Sequence, residues 1–454
     1  MPSSHFPASP LRRLPLAALL SLAFAGASQA QSLVDIYEMA KGYDATYLSA
    51  KAQYDANLAK ADQGKAALLP TVGLSAGATR SQRDVTPSAT PSQTDFSYTT
   101  QTAGINATQP LYRPANLAAY RQSQKGLELA EAALSQADQD LIVRVSQAYF
   151  DVLTAQDSLT LVQAQKAAVA EQLASAKRNF EVGTATITDT REAQARHDLV
   201  TAQEIAADND LRVKTVALEL LVGKAGLKPQ RIRPAATLPP VDGRGVDSWI
   251  AQGEQVHPAI RLARANLDVA KLETEKAVAG HKPTLDLTLG YNSQKNINGT
   301  SIGLVTTGTN QINVASAGVT FNLPLFAGMA TQNRIRETTA LEEKARMDLD
   351  GAQRLVTQAT RTAYLGLQSG LGQVKAYEAA EASSQVALDA NKLGYQVGVR
   401  INIDVLNSQS QLYQTKRDLA KARYDVLVGQ LKLRQAAGVL RAEDMASINA
   451  LLAP

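Results

Sequence analysis

The stretch FEVGTATITD, residues 180–189, decides the fold, because the stretch YQVGVRINID follows it at residues 395–404, an offset of 215 positions. Other landmarks keep a similar spacing, including Pro110 with Pro324 and Gly223 with Gly438. Chance similarity among alanine-rich helices is the alternative, but it would not place glycine, proline and aspartate in one order. We interpret the chain as two repeats, residues 31–223 and 246–454, joined by a proline-rich connector at 224–245.

The N-terminus has the pattern of a secretory signal peptide. Arg12 and Arg13 precede an apolar run over residues 14–27, and the small residues Ser28 and Ala30 suit a cleavage site. The pattern predicts that residues 1–30 are removed. No later run reaches the roughly 18 apolar residues of a membrane-spanning helix. If the mature chain crosses a membrane, we expect a closed barrel.

A very long helix is predicted in each repeat. Residues 114–180 contain no proline after the first position, and at about 1.5 Å per residue they span roughly 100 Å. Apolar residues recur at spacings of three and four from Leu134 to Phe180, with Lys166 as the exception, which indicates a coiled coil. The matching helix covers residues 330–395. Gly183 and Gly398 suit left-handed C-terminal caps.

The remaining segments of each repeat are two shorter helices and two strands. We expect first helices over residues 32–69 and 246–282, and third helices that run to Gly223 and Gly438. The predicted strands alternate apolar and small polar side chains, as a wall between lipid and water would. Their apolar faces are Val72/Leu74/Ala76/Ala78, Ala103/Ile105/Ala107, Leu285/Leu287/Leu289/Tyr291 and Ala317/Val319/Phe321. Residues 81–94 and 296–311 are predicted surface loops, and a half-buried sheet on a soluble core is the alternative.

Four strands per chain cannot close a barrel, and unpaired strand edges are prohibitive in lipid. Two copies would give eight strands, whose side chains nearly fill the interior, whereas three copies would give twelve and leave a duct. The strand pattern leaves this choice open, and a conducting function favours three copies. Tyr112 and Phe326 follow prolines at the inner end of the predicted barrel, where an aromatic girdle is expected.

With these features in place, the chain resembles the TolC family of outer-membrane efflux and type I secretion channels. The motifs are LLP at 68–70, KPTLDL at 282–287, AYF at 148–150 and the paired stretches at 180–189 and 395–404. The resemblance implies an α+β membrane protein: a homotrimeric twelve-stranded β-barrel in the outer membrane, continuous with a long α-helical coiled-coil tunnel in the periplasm. It also implies docking to a periplasmic adaptor (membrane fusion) protein and to an inner-membrane ABC or proton-driven transporter.

The resemblance further implies a gate at the periplasmic tip. Its residues here would be Thr188, Asp189, Tyr395 and Arg400, with Asp404 in an acidic ring at the pore constriction. A second ring position falls on Asn407, which is neutral, so we expect weaker block by polyvalent cations. Asp189 has an alternative role as a carboxylate in the first turn of a helix.

Enzyme and nucleic-acid functions find little support in the sequence. His197, His257 and His281 are far apart, and no nucleophile or phosphate-binding motif occurs. Cysteine is absent, which excludes thiolate metal sites, and a net charge of +4 does not indicate a nucleic-acid partner. No cofactor is predicted, and outer-membrane lipid is expected to surround the protein. A periplasmic coiled-coil scaffold or adaptor and a surface adhesin remain alternatives. The transported substrate cannot be read from these residues.

Overall fold

The computed structural model describes residues 31–85, 94–233, 243, 245–298 and 308–453. The predicted signal peptide, residues 1–30, lies outside the described residues, as does most of the connector after residue 233. The order helix, helix, strand, strand, long helix, helix occurs twice along the chain. The elements are α1 (Leu33–Lys41), α2 (Ala45–Ala66), β1 (Thr71–Val85), β2 (Thr94–Tyr112), α3 (Pro114–Glu181), α4 (Ile187–Val222), α5 (Val246–Val256), α6 (Pro258–Val278), a 3-10 turn (Ala279–His281), β3 (Thr284–Ile297), β4 (Asn310–Asn322), α7 (Ala330–Gln396), α8 (Asn402–Ala436) and α9 (Ala442–Asn449).

The predicted first helix of each half is wrong, because each is two helices. In the first half, Asp44 caps α2 by accepting a 2.8 Å hydrogen bond from the Tyr47 N–H. Both Arg144 Nη atoms donate to the same carboxylate at 2.9 Å. This side-chain hydrogen bonding holds the pKa of Asp44 below its usual range. In the second half, Pro258 begins α6, and its missing N–H suits the first position of a helix.

A glycine packs against the helix break in each half. Gly223 follows α4 with φ of 72°, and a Cβ there would lie 2.5 Å from the Tyr43 ring. Gly438 follows α8 with φ of 69°, and a Cβ there would lie 2.4 Å from the His257 Cα. A left-handed conformation and a close approach both require glycine at these positions.

The two long helices agree closely with the expected bounds. Helix α3 has 68 residues and α7 has 67. Gly183 and Gly398 follow them with φ of 81° and 79°, so the predicted left-handed caps are confirmed. Lys166, the exception in the apolar stripe of α3, donates from its Nζ to Glu204 Oε2 of α4 at 2.7 Å. The hydrogen bond from Lys166 lowers the pKa of Glu204.

The strands form one antiparallel sheet in the order β1-β2-β3-β4, so within the chain β1 and β4 each have one unpaired edge. They extend into the predicted loops: β1 pairs with β2 as far as Val85 and Thr94, and β3 pairs with β4 as far as Asn296 and Asn310. The loop prediction was wrong there because it ended the strands where the apolar alternation ends. Backbone pairing continues through residues that are mostly polar and no longer alternate.

The predicted apolar strand faces are confirmed as exposed surfaces. Leu74 is 79% exposed and Phe321 is 64% exposed. In the described part of the chain no helix packs on these strand faces, which argues against the alternative of a half-buried sheet on a soluble core. The buried apolar side chains lie instead in the helices and in the turns next to them.

The largest apolar core joins both halves of the chain. It contains residues of α1, α3, α4, α8 and the C-terminal helix α9, which the sequence analysis did not predict. Met445 and Ile448 of α9 are buried in it, and Leu452 pairs with Ile232 from the described start of the connector. Helices α1 and α9, near the start and the end of the described residues, therefore meet in this core.

Candidate gate at the ends of the coiled coils

The helical hairpins α3–α4 and α7–α8 lie side by side. Leu406 of α8 is buried among apolar residues of α3 and α4, including Val169 and Ala193. Val405 and Leu412 of α8 pack on Leu388 of α7. The turns at 182–186 and 397–401 therefore lie next to each other, and they bring residues of the predicted gate together at one end.

Asp189 forms a capping box at the start of α4. Its Oδ2 accepts from the Thr186 N–H at 2.9 Å and from the Thr186 hydroxyl at 2.8 Å, while Thr186 Oγ1 accepts from the Asp189 N–H at 3.2 Å. The alternative role of a first-turn carboxylate is therefore present in the single chain. Thr188 is exposed beside it. A role for either residue between copies stays a prediction.

Tyr395 and Arg400 contact different partners within the chain. The Tyr395 hydroxyl accepts a 3.3 Å hydrogen bond from Asn179 Nδ2 of α3. Arg400 pairs with Asp404 at 3.6 Å, and its side chain is 58% exposed. Arg400 is therefore available to a neighbouring molecule, and its role in a gate between copies stays a prediction.

A buried amide at this end was missed by the sequence analysis. Asn402, the first residue of α8, is fully buried. Its Nδ2 donates to the Asp189 main-chain oxygen at 3.3 Å, and its Oδ1 accepts from Gln172 of α3. One side chain thus links both helices of the first coil to the second coil. An asparagine at a helix start reads as an ordinary cap, so no sequence signal revealed this role.

Asn407, the neutral position of the predicted acidic rings, accepts a hydrogen bond from an arginine. Arg196 of α4 donates from its Nη2 to Asn407 Oδ1 at 2.8 Å. Asp404 lies one turn before Asn407, with a side chain 33% exposed. Charge near the predicted constriction is thus mixed: Arg400 pairs with Asp404, and Arg196 is bonded to Asn407 one turn further along.

The predicted girdle residues lie where the sheet meets the helices. Tyr112 is the last residue of β2, and Phe326 lies between β4 and α7; they are 48% and 79% exposed. Nearby, Arg113 donates to both carboxylate oxygens of Asp286 in β3, at 2.8 and 2.6 Å. Nothing in the sequence pattern indicated this ion pair. The girdle itself stays a prediction.

Two features of the described part of the chain bear on other functions. No helix there is long and apolar enough to cross a membrane. No cluster of three or more His, Asp or Glu side chains there could hold a metal ion.

The geometry can now be compared with known proteins. The family model described as "Outer membrane efflux protein" matches residues 36–224 and 249–439. The chain belongs to this family of outer membrane efflux proteins. It is 34% identical to the outer membrane protein TolC of Vibrio cholerae, over 93% of this chain and 94% of that protein. It is 32% identical to the alkaline protease secretion protein AprF of Pseudomonas aeruginosa, over 92% and 86%.

Solved structures show the same fold at lower identity. The outer membrane protein VceC of Vibrio cholerae aligns with a TM-score of 0.75 at 22% identity, over 89% of this chain and 96% of that one. The CmeC outer membrane channel of Campylobacter jejuni aligns with a TM-score of 0.76 at 16% identity, over 94% and 91%.

Family membership identifies this efflux protein as an outer-membrane exit duct with a helical tunnel in the periplasm. The family is one of channels and not of enzymes, and its members serve efflux and secretion systems, which implies partner transporters and adaptors. This assignment replaces the scaffold and adhesin alternatives.

Proposed function

We propose that three copies of the chain close one twelve-stranded barrel, continuous with one helical tunnel. The single observation that carries this proposal is the four-stranded sheet with one unpaired edge on β1 and another on β4. Unpaired edges and exposed apolar faces such as Leu74 are compatible with lipid only when the sheet closes through neighbouring copies. Three copies provide the smallest closed barrel with an open lumen.

Exposed apolar side chains on the helices support the same assembly. Val216 and Leu220 of α4 are 61% and 74% exposed, and Leu355 and Leu365 of α7 are 67% and 61% exposed. An open cavity of about 800 Å³ runs beside α7 and α8 past Gly366, where the lack of a side chain permits close helix approach. We expect the exposed apolar side chains of α4 in one copy to pack against those of α7 in the next copy.

The two halves are proposed to be repeats, 31–223 and 246–454, joined by the connector at 224–245. Equal element order and the equivalent packing of Gly223 and Gly438 support this division. Each copy would then contribute two β-hairpins to the barrel, one from each repeat.

The duct is proposed to close at the end where the two coils turn. Thr188 and Asp189 of one copy would meet Tyr395 and Arg400 of the next, and three Asp404 carboxylates would ring the constriction. An exposed ion pair contributes only about 0–1 kcal/mol, so a few such links hold a closed state that a docking partner can open. A periplasmic adaptor and an inner-membrane ABC or proton-driven transporter would provide that docking.

The cargo is proposed to be selected by the transporter that docks on the channel. AprF is named for alkaline protease secretion, and PrtF of Dickeya chrysanthemi, 31% identical to this chain, is named for protease secretion. Protein cargo is therefore within the range of the family, as are the small molecules of efflux pumps.

Purification and single-channel recording test the duct proposal. The mature protein should require detergent, migrate with three times the monomer mass, and give discrete conductance steps in planar bilayers. A detergent-free monomer that passes no current would overturn it.

A further inference from the structure

Gln31, the first described residue, is bonded to the start of the connector through a parallel bridge with Pro229. The Gln31 N–H donates to the Lys228 main-chain oxygen at 2.9 Å. The Gln230 N–H donates to the Gln31 main-chain oxygen at 3.1 Å. The hydroxyl of Tyr149, a fully buried residue of the largest core, donates to the same Gln31 oxygen at 3.2 Å. The main chain of Gln31 is therefore held at the edge of that core.

The side chain of Gln31 makes the next hydrogen bond of the bridge. The Lys228 N–H donates to Gln31 Oε1 at 2.7 Å. In a longer parallel ladder this N–H would donate to a main-chain oxygen two residues before Gln31, so the side chain takes the place of the preceding chain. The N–H and the Oε1 of Gln31 thus both face Lys228. Within the described part of the chain, Gln31 Nε2 forms no hydrogen bond.

Gln31 becomes the first residue of the mature chain when residues 1–30 are removed, as the sequence predicts. Its main-chain nitrogen is then an α-amine, which loses its extra proton close to neutral pH. The neutral amine is a nucleophile, and the carboxamide carbon of its own side chain is placed to close a five-membered ring with it.

We propose that Gln31 closes to a pyroglutamate lactam in the folded protein, and that the main chain of Lys228 promotes the reaction. The lone pair of the α-amine forms a bond to Cδ, and the bond from Cδ to Nε2 breaks. Nε2 leaves as ammonia with one proton taken from the attacking nitrogen, while Oε1 remains as the lactam oxygen. No oxidant, reductant or second substrate takes part. The closure requires the predicted cleavage and does not depend on the proposed duct.

Three features of the bridge favour closure. The Lys228 oxygen accepts from the α-amine and so orients its lone pair. The Lys228 N–H donates to Oε1, where negative charge develops as the amine attacks, and a donor held at that position stabilises the transition state. Nε2 gives up no hydrogen bond to the described residues when it leaves.

The lactam also fits the bridge as a product. A five-membered lactam is a cis amide, so its N–H and its oxygen point to the same side and keep both hydrogen bonds to Lys228. Closure removes the positive charge of an α-ammonium group from a half-buried position beside the core, where burial penalises charge. The mature chain would then begin with a neutral residue that lacks the free α-amine on which aminopeptidases act.

Mass spectrometry of the protein isolated from outer membranes tests the modification. Trypsin should release residues 31–41 as the first peptide, because Lys41 is the first basic residue after Gln31. We expect this peptide to be lighter than its sequence by the mass of one ammonia. A synthetic peptide of the same residues, carried through the same digestion, measures any closure during handling. A first peptide with an open Gln31, or one that begins at another residue, overturns the proposal.

The rate of closure tests the role of the fold. The full mature chain is purified in detergent behind a leader that ends in a protease site, and removal of the leader exposes Gln31 at a defined time. We expect closure at least about tenfold faster than in the synthetic peptide, because the fold orients the reacting groups and supplies a donor. Equal rates in the folded chain and the peptide overturn the proposal.

Two variants at one position separate the main chain of Lys228 from its exposed side chain. Lys228→Pro lacks the donating N–H and should close at least about tenfold more slowly than the wild type. Lys228→Ala keeps the N–H and should close at the wild-type rate. An unchanged thermal midpoint shows that a variant is folded, and the comparison with the peptide decides the question without any variant. Closure of folded Lys228→Pro as fast as Lys228→Ala overturns the assigned role of Lys228.

Discussion

Asn402 Nδ2 donates a hydrogen bond to the main-chain oxygen of Asp189, at 3.3 Å, across the boundary between the two coils. Because Gln172 donates to the same buried amide, the two coils of one chain are linked on both helices of the first coil. This link lies within one copy, whereas the proposed gate contacts lie between copies. Opening is therefore expected to separate copies and not to part the coils of one chain.

Replacement of this amide should loosen that unit. We expect Asn402→Ala to lower the free energy of unfolding by about 1–3 kcal/mol, because Gln172 and the Asp189 carbonyl lose a buried partner. Thermal unfolding in detergent measures this change. Asn407→Ala breaks an exposed bond to Arg196 and should have a much smaller effect. Equal stability of the two variants would contradict the role of Asn402.

The gate proposal predicts larger currents when its contacts are removed. Arg400→Ser and Tyr395→Phe should each raise single-channel conductance, because each removes a proposed gate contact. Arg400→Ser removes a charge, and Tyr395→Phe removes only a hydroxyl. Arg354→Ser is the control, because Arg354 is exposed on α7 and pairs within its helix with Asp350. Conductance equal to wild type in both gate variants would remove these residues from the gate.

The ring proposal predicts a change in ion preference. Asp404→Ala should lower cation selectivity, measured as a reversal potential in a salt gradient. Asn407→Asp should strengthen block by divalent cations, because it adds a second carboxylate one turn away. Arg196 would neutralise part of that charge, so the increase should be larger in Asn407→Asp combined with Arg196→Gln. Unaltered reversal potential in Asp404→Ala would reject the assignment.

The burial of His257 predicts that the protein loses stability in acid. Its Nδ1 accepts from the Ala259 N–H at 3.1 Å, which requires a neutral ring, and burial lowers its pKa below 6.5. The stabilising contribution is complete above pH 6.5 and declines as pH falls toward the folded pKa, because only the unfolded chain gains the proton there. The thermal midpoint should thus drop between pH 7.5 and 5, and less so in His257→Asn.

His281→Asn provides the comparison for this pH dependence, since His281 is exposed in a 3-10 turn. An identical pH dependence in wild type and both variants would show that His257 is not responsible.

The Arg113–Asp286 pair predicts a weaker junction between sheet and helices when it is broken. Asp286 is 8% exposed and accepts two hydrogen bonds, so Asp286→Asn should cost about 1–3 kcal/mol. The midpoint of heat dissociation of the detergent-solubilised oligomer measures this loss. Arg121→Gln breaks an exposed pair with Glu275 and should cost less than about 1 kcal/mol. An equal midpoint in the two variants would argue against the junction.

Local periodicity explains which features were predictable. The long helices and the alternating strands appear in the sequence because each pattern depends on neighbours a few positions away. Gly183 and Gly398 were predictable as caps for the same reason.

Contacts between distant residues explain what was missed. Asp44, which caps α2, is held by Arg144, 100 positions later in the chain. Asn402 and Gln172 are 230 positions apart. Nothing in the local pattern specifies these partners, so the helix breaks and the buried amide required the structure.

The length of the strands has a consequence for the outer surface of the cell. Strand β2 has 19 residues, whereas a tilted strand needs only about 9–11 to cross the hydrocarbon layer. The surplus continues as paired backbone with polar side chains. If the sheets of neighbouring copies close as proposed, we expect this surplus to form a stiff collar above the lipid headgroups, so that departing molecules are released beyond the lipid layer.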